Sequence, residues 1–270
     1  MSAATQAPTE LFYFGAPERR LFGALHAAQT YAQRESGIVI CYPFGPEYIR
    51  SHRACRLLAL RLSQAGFPTL RFDYGGSGDS AGDASNATLA DWRDDLCRAI
   101  STLRDRTGVE SICLAGLRLG ASLAFEVAAE RSDVTAIILW EPIIAGDDYL
   151  AELAEQHREL LWRFFDNAAH LSSGSSAEYL GTPVGVTMRG ELERLNLLTL
   201  AAARAEHMLI VESQDSAEIA LLRDQLRNAG RAVAYQSIPS FATWREDVDK
   251  GLVSEPVLRA IAAWAAEVLP

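Results

Sequence analysis

Residues 111–124 read Ser-Ile-Cys-Leu-Ala-Gly-Leu-Arg-Leu-Gly-Ala-Ser-Leu-Ala. An apolar run comes first, then two glycines, Gly116 and Gly120, that flank a short turn, and then an alanine-rich, helix-forming stretch. Because glycine tolerates backbone conformations and close approaches that other residues do not, this order predicts a buried strand, a sharp turn and a helix. The turn is centred on Arg118.

The turn has the layout of the nucleophile elbow, Gly-x-Ser-x-Gly, in which the middle residue projects into a pocket. Here the middle residue is Arg118. A guanidinium group stays protonated near neutral pH and cannot attack a carbonyl carbon. The sequence therefore predicts the architecture of a serine hydrolase at the position where the nucleophile is replaced.

Apolar strand patterns alternate with helical patterns along most of the chain. After two short strands that predict an antiparallel edge, the helical patterns cover residues 52–64, 89–106 and 119–130, with strands between them. This alternation predicts an α/β fold with a mostly parallel central sheet flanked by helices.

The pattern changes between residues 147 and 206, where helical stretches at 149–166 and 189–205 surround a Ser-rich segment. We expect a core formed by residues 1–146 and 207–270, with residues 147–206 as a helical lid insertion. Ligands of open α/β sheets bind at the carboxyl ends of the strands, so a lid is expected above them.

Composition excludes several classes of function. The 270 residues carry a formal net charge of −10, which opposes binding to nucleic acid or to an anionic membrane surface. No run approaches the ~20 apolar residues of a membrane span, and the N-terminus shows no signal peptide. The four cysteines have no metal-type spacing, so we expect a cytoplasmic protein with reduced thiols and without a metal or cofactor.

Several segments together resemble the α/β-hydrolase superfamily, and within it the second type of hydrolase-like protein associated with exosortase systems in bacterial polysaccharide loci. The segments that carry the resemblance are residues 42–47, 51–53, 65–67, 72–83, 92–96, 116–121 and 139–142. The elbow Gly-Leu-Arg-Leu-Gly-Ala, including its arginine, is similar to that group's own pattern. The resemblance implies the fold and a hydrolase ancestry.

The resemblance also implies where the other members of a Ser-Asp-His triad would lie. The acid position, after the strand at 207–211, matches Asp215. The histidine would follow the strand that ends near Ile238, but the sequence contains no histidine after His207. Two of the three triad members are thus expected to be absent, and whether the chain is an enzyme stays open.

Binding groups are nevertheless expected around the elbow. The backbone amides of Leu119 and of Phe44–Gly45 correspond to oxyanion-hole donors, and with Arg118 they predict an electropositive spot. We expect it to hold a small acidic or acylated molecule, or a protein partner, with Glu141 and His52 at the rim. The alternative is that Asp215, Glu141 or Glu47 neutralises Arg118 within the protein, since an unpaired buried arginine is costly.

Three functions remain open from the sequence. The first is a non-catalytic relative that binds a ligand or partner around Arg118. The second is an active hydrolase or acyltransferase on an ester or thioester with non-standard catalytic residues, in which Asp215 acts as a base. The third is an interaction module whose pocket is vestigial.

Overall fold

The computed structural model describes residues 9–30, 33–164, 177–200, 204–240, 242, 244 and 253–270. The strands are β1 (Glu10–Ala16), β2 (Arg19–His26), β3 (Ser36–Cys41), β4 (Thr69–Phe72), β5 (Ser111–Leu117), β6 (Val134–Trp140), β7 (Ala177–Tyr179), β8 (Thr182–Val184), β9 (His207–Glu212) and β10 (Ala232–Ser237). The helices are α1 (Gly45–Gln64), α2 (Leu89–Thr107), α3 (Leu119–Glu130), α4 (Gly146–Phe164), α5 (Val186–Arg194), α6 (Ala217–Asn228) and α7 (Glu255–Val268).

Eight strands form one sheet in the order β1-β2-β4-β3-β5-β6-β9-β10. Six neighbouring strands of this sheet pair in parallel, namely β4, β3, β5, β6, β9 and β10. Strands β1 and β2 form an antiparallel edge beside β4. Helices α1 and α7 pack against each other on one side of the sheet, and α2 packs against α3 on the other. The expected α/β class, with its mostly parallel sheet and flanking helices, is confirmed.

The core lies between the sheet and these helices. Strand β3 is buried along its whole length, and β5 is buried from its second residue onward, as expected for central strands covered on both faces. Several helix ends have local signals in the sequence. Thr88 caps α2 by accepting the Asp91 amide proton, and Gly108 ends that helix in a left-handed conformation.

Helix α1 begins at Gly45, seven residues before the start predicted from apolar periodicity. Pro46 lies in its first turn, where its missing N–H is not needed and its fixed φ favours the helix. The apolar pattern is weak in this turn because Glu47 is a buried charged residue. The early start places Glu47 next to the elbow.

The segment between β6 and β9 contains more than the expected helices. Helix α4 is followed by the described hairpin β7–β8, whose turn includes Leu180 and Gly181, and α5 ends at Arg194 rather than near residue 205. The two ends of the segment meet where Ala145 bridges Asn196. The predicted boundaries at 147 and 206 thus fall close to α4 and β9, and the lid role remains a prediction.

Within the described residues, none of the helices combines the length and the apolar character that crossing a bilayer requires.

Candidate binding pocket at the elbow

The turn between β5 and α3 has the strained geometry of an elbow. Arg118 has φ 54° and ψ −123°, a conformation that is uncommon for a residue with a side chain. A Cβ atom added at Gly120 would lie 2.3 Å from the carbonyl oxygen of Cys41, and one added at Gly116 would lie 2.4 Å from that of Gly120. The two glycines therefore permit the close packing predicted from the sequence.

The Arg118 side chain is buried and paired inside the protein. Its Nε donates to Glu47 Oε1 at 3.1 Å, and its Nη2 donates to Glu152 Oε2 at 2.5 Å. The rings of Tyr149 and Trp244 lie 5.4 and 5.3 Å from the guanidinium carbon. The second oxygen of Glu47 accepts a hydrogen bond from Tyr149 Oη at 2.8 Å. One arginine thus ties the elbow to α1 and to α4.

Internal neutralisation of Arg118 is therefore the arrangement in the structure, and only part of the predicted partner set takes part. Glu47 is a partner, as expected. Glu152 is a partner that the sequence did not indicate, and Asp215 is absent from the cluster. The carboxylates of Glu47 and Glu152 raise the pKa of Arg118, whereas burial acts in the opposite direction.

Glu141 lies at the end of the neighbouring strand, as predicted, and is also strained. It follows β6, has φ 48°, and its Oε1 accepts a hydrogen bond from the Ser213 amide at 2.6 Å. Burial raises the pKa of this carboxyl above its ordinary value, and Arg118 partly offsets the effect. Adjacent strand ends thus carry an arginine and a glutamate, both with positive φ.

A cavity of about 180 Å³, here called the inner cavity, opens at the carboxyl ends of these strands. Its walls include one guanidinium group and five carboxyl groups, namely Arg118, Glu141, Asp148, Glu152, Glu212 and Glu218. Its other walls come from Pro142, Ile143, Ile144, Ala145, Tyr149, Gln214, Ser216 and Ile219. Since Arg118 already has two carboxylate partners, the described part of the lining carries an excess of negative charge. This charge differs from the electropositive spot expected from the sequence.

Asp215, the predicted acid, lies outside the inner cavity. It is exposed at the start of α6 and accepts a hydrogen bond from the Tyr235 hydroxyl. This contact lowers the pKa of Asp215. Glu212, three residues earlier at the end of β9, lines the cavity instead, and burial raises its pKa.

His52 also lies away from the cavity. It is exposed on α1, and its ring stacks on Tyr42 with centroids 5.8 Å apart. Five residues separate it from Glu47, which corresponds to a rotation of about 140° around the helix. The two side chains therefore leave α1 on different faces, and His52 is not among the described residues that line the inner cavity.

The predicted oxyanion-hole residues lie beside the elbow but not on the described wall of the inner cavity. Leu119 and Phe44 are buried, and Phe44 packs its ring against Trp92 at 6.0 Å. Gly45 has φ 54°, and an added Cβ atom would lie 3.0 Å from Thr182 Oγ1 in the hairpin β7–β8. The hairpin thus covers the beginning of α1, where an oxyanion would be expected.

Among the acidic and aromatic residues of the inner cavity, the sequence analysis did not identify Asp148, Tyr149, Glu152, Glu212 and Glu218. Asp148 and Glu152 lie one turn apart on α4, so their spacing was a detectable signal for a common helix face. No signal indicated which way that face turns. Among the described residues, no group of His, Cys, Asp and Glu has an arrangement that could hold a metal ion.

The comparisons with known proteins agree with this architecture. Residues 48–184 match the family model of serine aminopeptidase S33. No curated protein sequence matches the chain.

Solved structures of esterases have the same fold. The chain is 19% identical to Est1E of Butyrivibrio proteoclasticus, solved with ferulic acid, with TM-score 0.69 and coverage of 95% of this chain and 98% of that one. It is 13% identical to the Pyrococcus furiosus esterase Pf2001, with TM-score 0.69 and coverage of 97% and 92%.

A third similar structure is XC6422 of Xanthomonas campestris, described as a serine hydrolase without a lid, at 14% identity and TM-score 0.60, with coverage of 100% and 99%. At these identities the structures establish the fold alone. The family match spans half of the chain and includes most of α1 and the whole elbow. The chain belongs to the serine aminopeptidase S33 family of α/β-hydrolase-fold proteins.

Proposed function

We propose that this protein is a non-catalytic member of its family that binds a small organic molecule in the inner cavity. The observation that carries the proposal is Arg118 itself. It occupies the elbow, keeps the elbow conformation, and is paired with Glu47 and Glu152. The position that presents a nucleophile in a serine hydrolase instead anchors two helices.

Other groups in or near the inner cavity offer little for nucleophilic catalysis. Ser122 Oγ donates to the Ile143 carbonyl oxygen at 2.7 Å inside the core, and Ser216 Oγ caps α6. A serine needs an adjacent base to become a nucleophile. None of the described histidines lines the inner cavity. Binding without turnover is therefore the function that this geometry supports best.

The charge of the cavity favours a positively charged ligand over the acidic or acylated molecule expected from the sequence. An anion would have to displace a carboxylate from Arg118 and approach the remaining acidic groups. An ammonium group would instead find Glu141 and Glu212 at the strand ends, and could donate to their oxygens. The side chains of Ile143, Ile144 and Ile219 offer apolar contact to a hydrocarbon portion.

The ligand charge is tested by titrating the protein with n-butylamine and with butyrate, which share a similar chain and carry opposite charges. We expect saturable binding of the amine, detected by calorimetry or NMR shifts, and none of butyrate. Glu141→Gln should weaken amine binding, since one carboxylate of the cavity becomes neutral. Glu110→Gln is the matched control, because Glu110 is exposed before β5 at the opposite end of the sheet. Preferential binding of butyrate would contradict the proposal.

The absence of catalysis is tested with a fluorophosphonate probe, which labels activated serines. We expect no labelling of the native protein under conditions in which an active esterase of the same fold is fully labelled. Mass spectrometry that locates a phosphonylated serine in this chain would contradict the proposal. Binding of neither n-butylamine nor butyrate to the folded protein would overturn the proposed small-molecule binding.

We also propose that the chain is of the exosortase-associated type. Support comes only from the motifs at residues 42–47, 72–83 and 116–121, the last including Arg118. The proposal predicts a gene neighbourhood that encodes an exosortase and polysaccharide enzymes. Flanking genes of unrelated function would contradict it.

A further inference from the structure

A second cavity lies on the other side of Glu152. This outer cavity has a volume of about 330 Å³, and its walls include Glu152, Glu155, Glu159, Arg50 and Arg163. Glu152 is the residue that lines both cavities. The ion pair between Arg118 and Glu152 therefore stands at the boundary between them.

The two carboxylate partners of Arg118 are held to different degrees. Glu47 is 1% exposed and accepts hydrogen bonds from both Arg118 and Tyr149. The Glu152 side chain is 25% exposed and also accepts a hydrogen bond from Gln156 at 3.2 Å. Because water competes for the more exposed group, the pair with Glu152 is the easier one to break. Arg118 would keep a buried carboxylate partner if Glu152 moved.

A second guanidinium group lines the outer cavity. Arg50 shares this cavity with Glu152 and donates to the Trp244 carbonyl oxygen at 3.4 Å. Glu152 thus shares the inner cavity with Arg118 and the outer cavity with Arg50. A carboxylate that exchanges one partner for another is a two-state element that a ligand can bias.

The acidic residues that line the two cavities continue along one face of α4. Asp148, Glu152, Glu155 and Glu159 are spaced by four, three and four residues, so they share that face over about 16 Å. Arg50 and Arg163 in the outer wall, and Arg158 through its ion pair with Glu155, offset part of this charge on the outer side. The inner cavity has Arg118 as its one lining guanidinium among the described residues.

We propose that the two cavities are halves of one elongated cleft, divided by the Arg118–Glu152 pair, and that the cleft takes a linear molecule with a cationic group near each end. This inference rests on the proposed binding function and specifies its ligand class. One ammonium group binds between Glu141 and Glu212 in the inner cavity. The other reaches Glu155 and Glu159 after Glu152 has turned from Arg118 toward Arg50.

The test compares 1,8-diaminooctane with n-octylamine by calorimetry. We expect the diamine to bind about tenfold more tightly, which corresponds to about 1.4 kcal/mol for the second ammonium contact. Glu159→Gln should remove most of this advantage and leave the affinity for octylamine unchanged. Asp147→Asn is the control, because Asp147 belongs to α4 but lines neither cavity among the described residues.

A crystal structure of the diamine complex gives the second readout. In this complex we expect the Glu152 carboxylate no longer to contact Arg118, while Arg118 still pairs with Glu47. Equal affinities for the two amines, or a bound diamine beside an intact Arg118–Glu152 pair, would contradict the proposal of a single cleft. Neither result would contradict the proposed cation site in the inner cavity. No binding of either amine would overturn the proposed function as well as the cleft.

Discussion

Two buried arginines in this protein have partners of different charge. Arg118 at the elbow is 8% exposed and pairs with the carboxylates of Glu47 and Glu152. Arg71 in β4 is 7% exposed, and it donates to His26 Nε2 at 3.0 Å and to the Tyr42 hydroxyl at 2.7 Å, both uncharged groups. The first region has surplus negative charge, and the second retains positive charge.

The difference shows how the partners of a buried arginine set the chemistry around it. Beside Arg71, burial and the guanidinium lower the pKa of His26 to about 4, so this ring stays neutral near neutral pH. Beside Arg118, burial raises the pKa of Glu141 and of Glu47 above the ordinary carboxyl value, while Arg118 offsets part of that effect. The Arg71 region should therefore be sensitive to acid, and the elbow region to the loss of a carboxylate.

The largest effect is expected for Glu47→Gln. This substitution removes the most deeply buried partner of Arg118, so we expect a loss of about 3 kcal/mol in the free energy of unfolding, measured with urea at pH 7. Glu152→Gln is the matched control and should cost about 1 kcal/mol, because Glu152 is partly exposed. Equal losses for the two variants would show that burial does not distinguish the two partners.

The second prediction concerns acid and the Arg71 region. In the unfolded chain His26 has its ordinary pKa of 6.5, whereas in the folded chain its pKa is about 4. The unfolded state therefore binds more protons in this window, and stability falls as pH decreases from about 6.5 to 4, by about 2 kcal/mol from this residue.

His26→Gln provides the comparison for that pH dependence. Glutamine can still accept a hydrogen bond from Arg71 but does not titrate. We expect the stability difference between the variant and the native protein to change by about 2 kcal/mol between pH 7 and pH 4.5, in favour of the variant at low pH. A stability difference that does not vary with pH would show that His26 does not cause the acid sensitivity.

The smallest effect is expected at Asp215. It is exposed and outside the inner cavity, so Asp215→Asn should have no measurable effect on the free energy of unfolding and should leave amine binding unchanged. A large loss of binding would mean that α6 rearranges to bring Asp215 into the cavity.

The sequence was sufficient for the fold because its signals are local. The apolar run of β5 and the glycines at 116 and 120 specify strand, turn and helix without help from distant residues. The start of α1 was missed because its first turn has a proline and a buried glutamate in place of apolar periodicity.

The site was predicted best for the residues that directly follow the ends of β5 and β6. Arg118 and Glu141 follow strand ends, and both lie in the cavity wall as expected. Glu152 was missed because its contact with Arg118 depends on how α4 crosses the sheet, which is a tertiary property. Asp215 was predicted from family resemblance, but the structure has Glu212, the last residue of β9, in the cavity wall and Asp215, in the loop after it, exposed.

The most direct test of a non-catalytic elbow is turnover of a panel of acyl esters and acyl thioesters by the purified protein, beside Arg118→Ala and Asp215→Ala variants prepared identically. We expect all three proteins to be equally inactive, although n-butylamine still binds to the native protein. Turnover by the native protein that is lost in Arg118→Ala, with the variant still folded, would contradict the account and would show that this elbow catalyses a reaction.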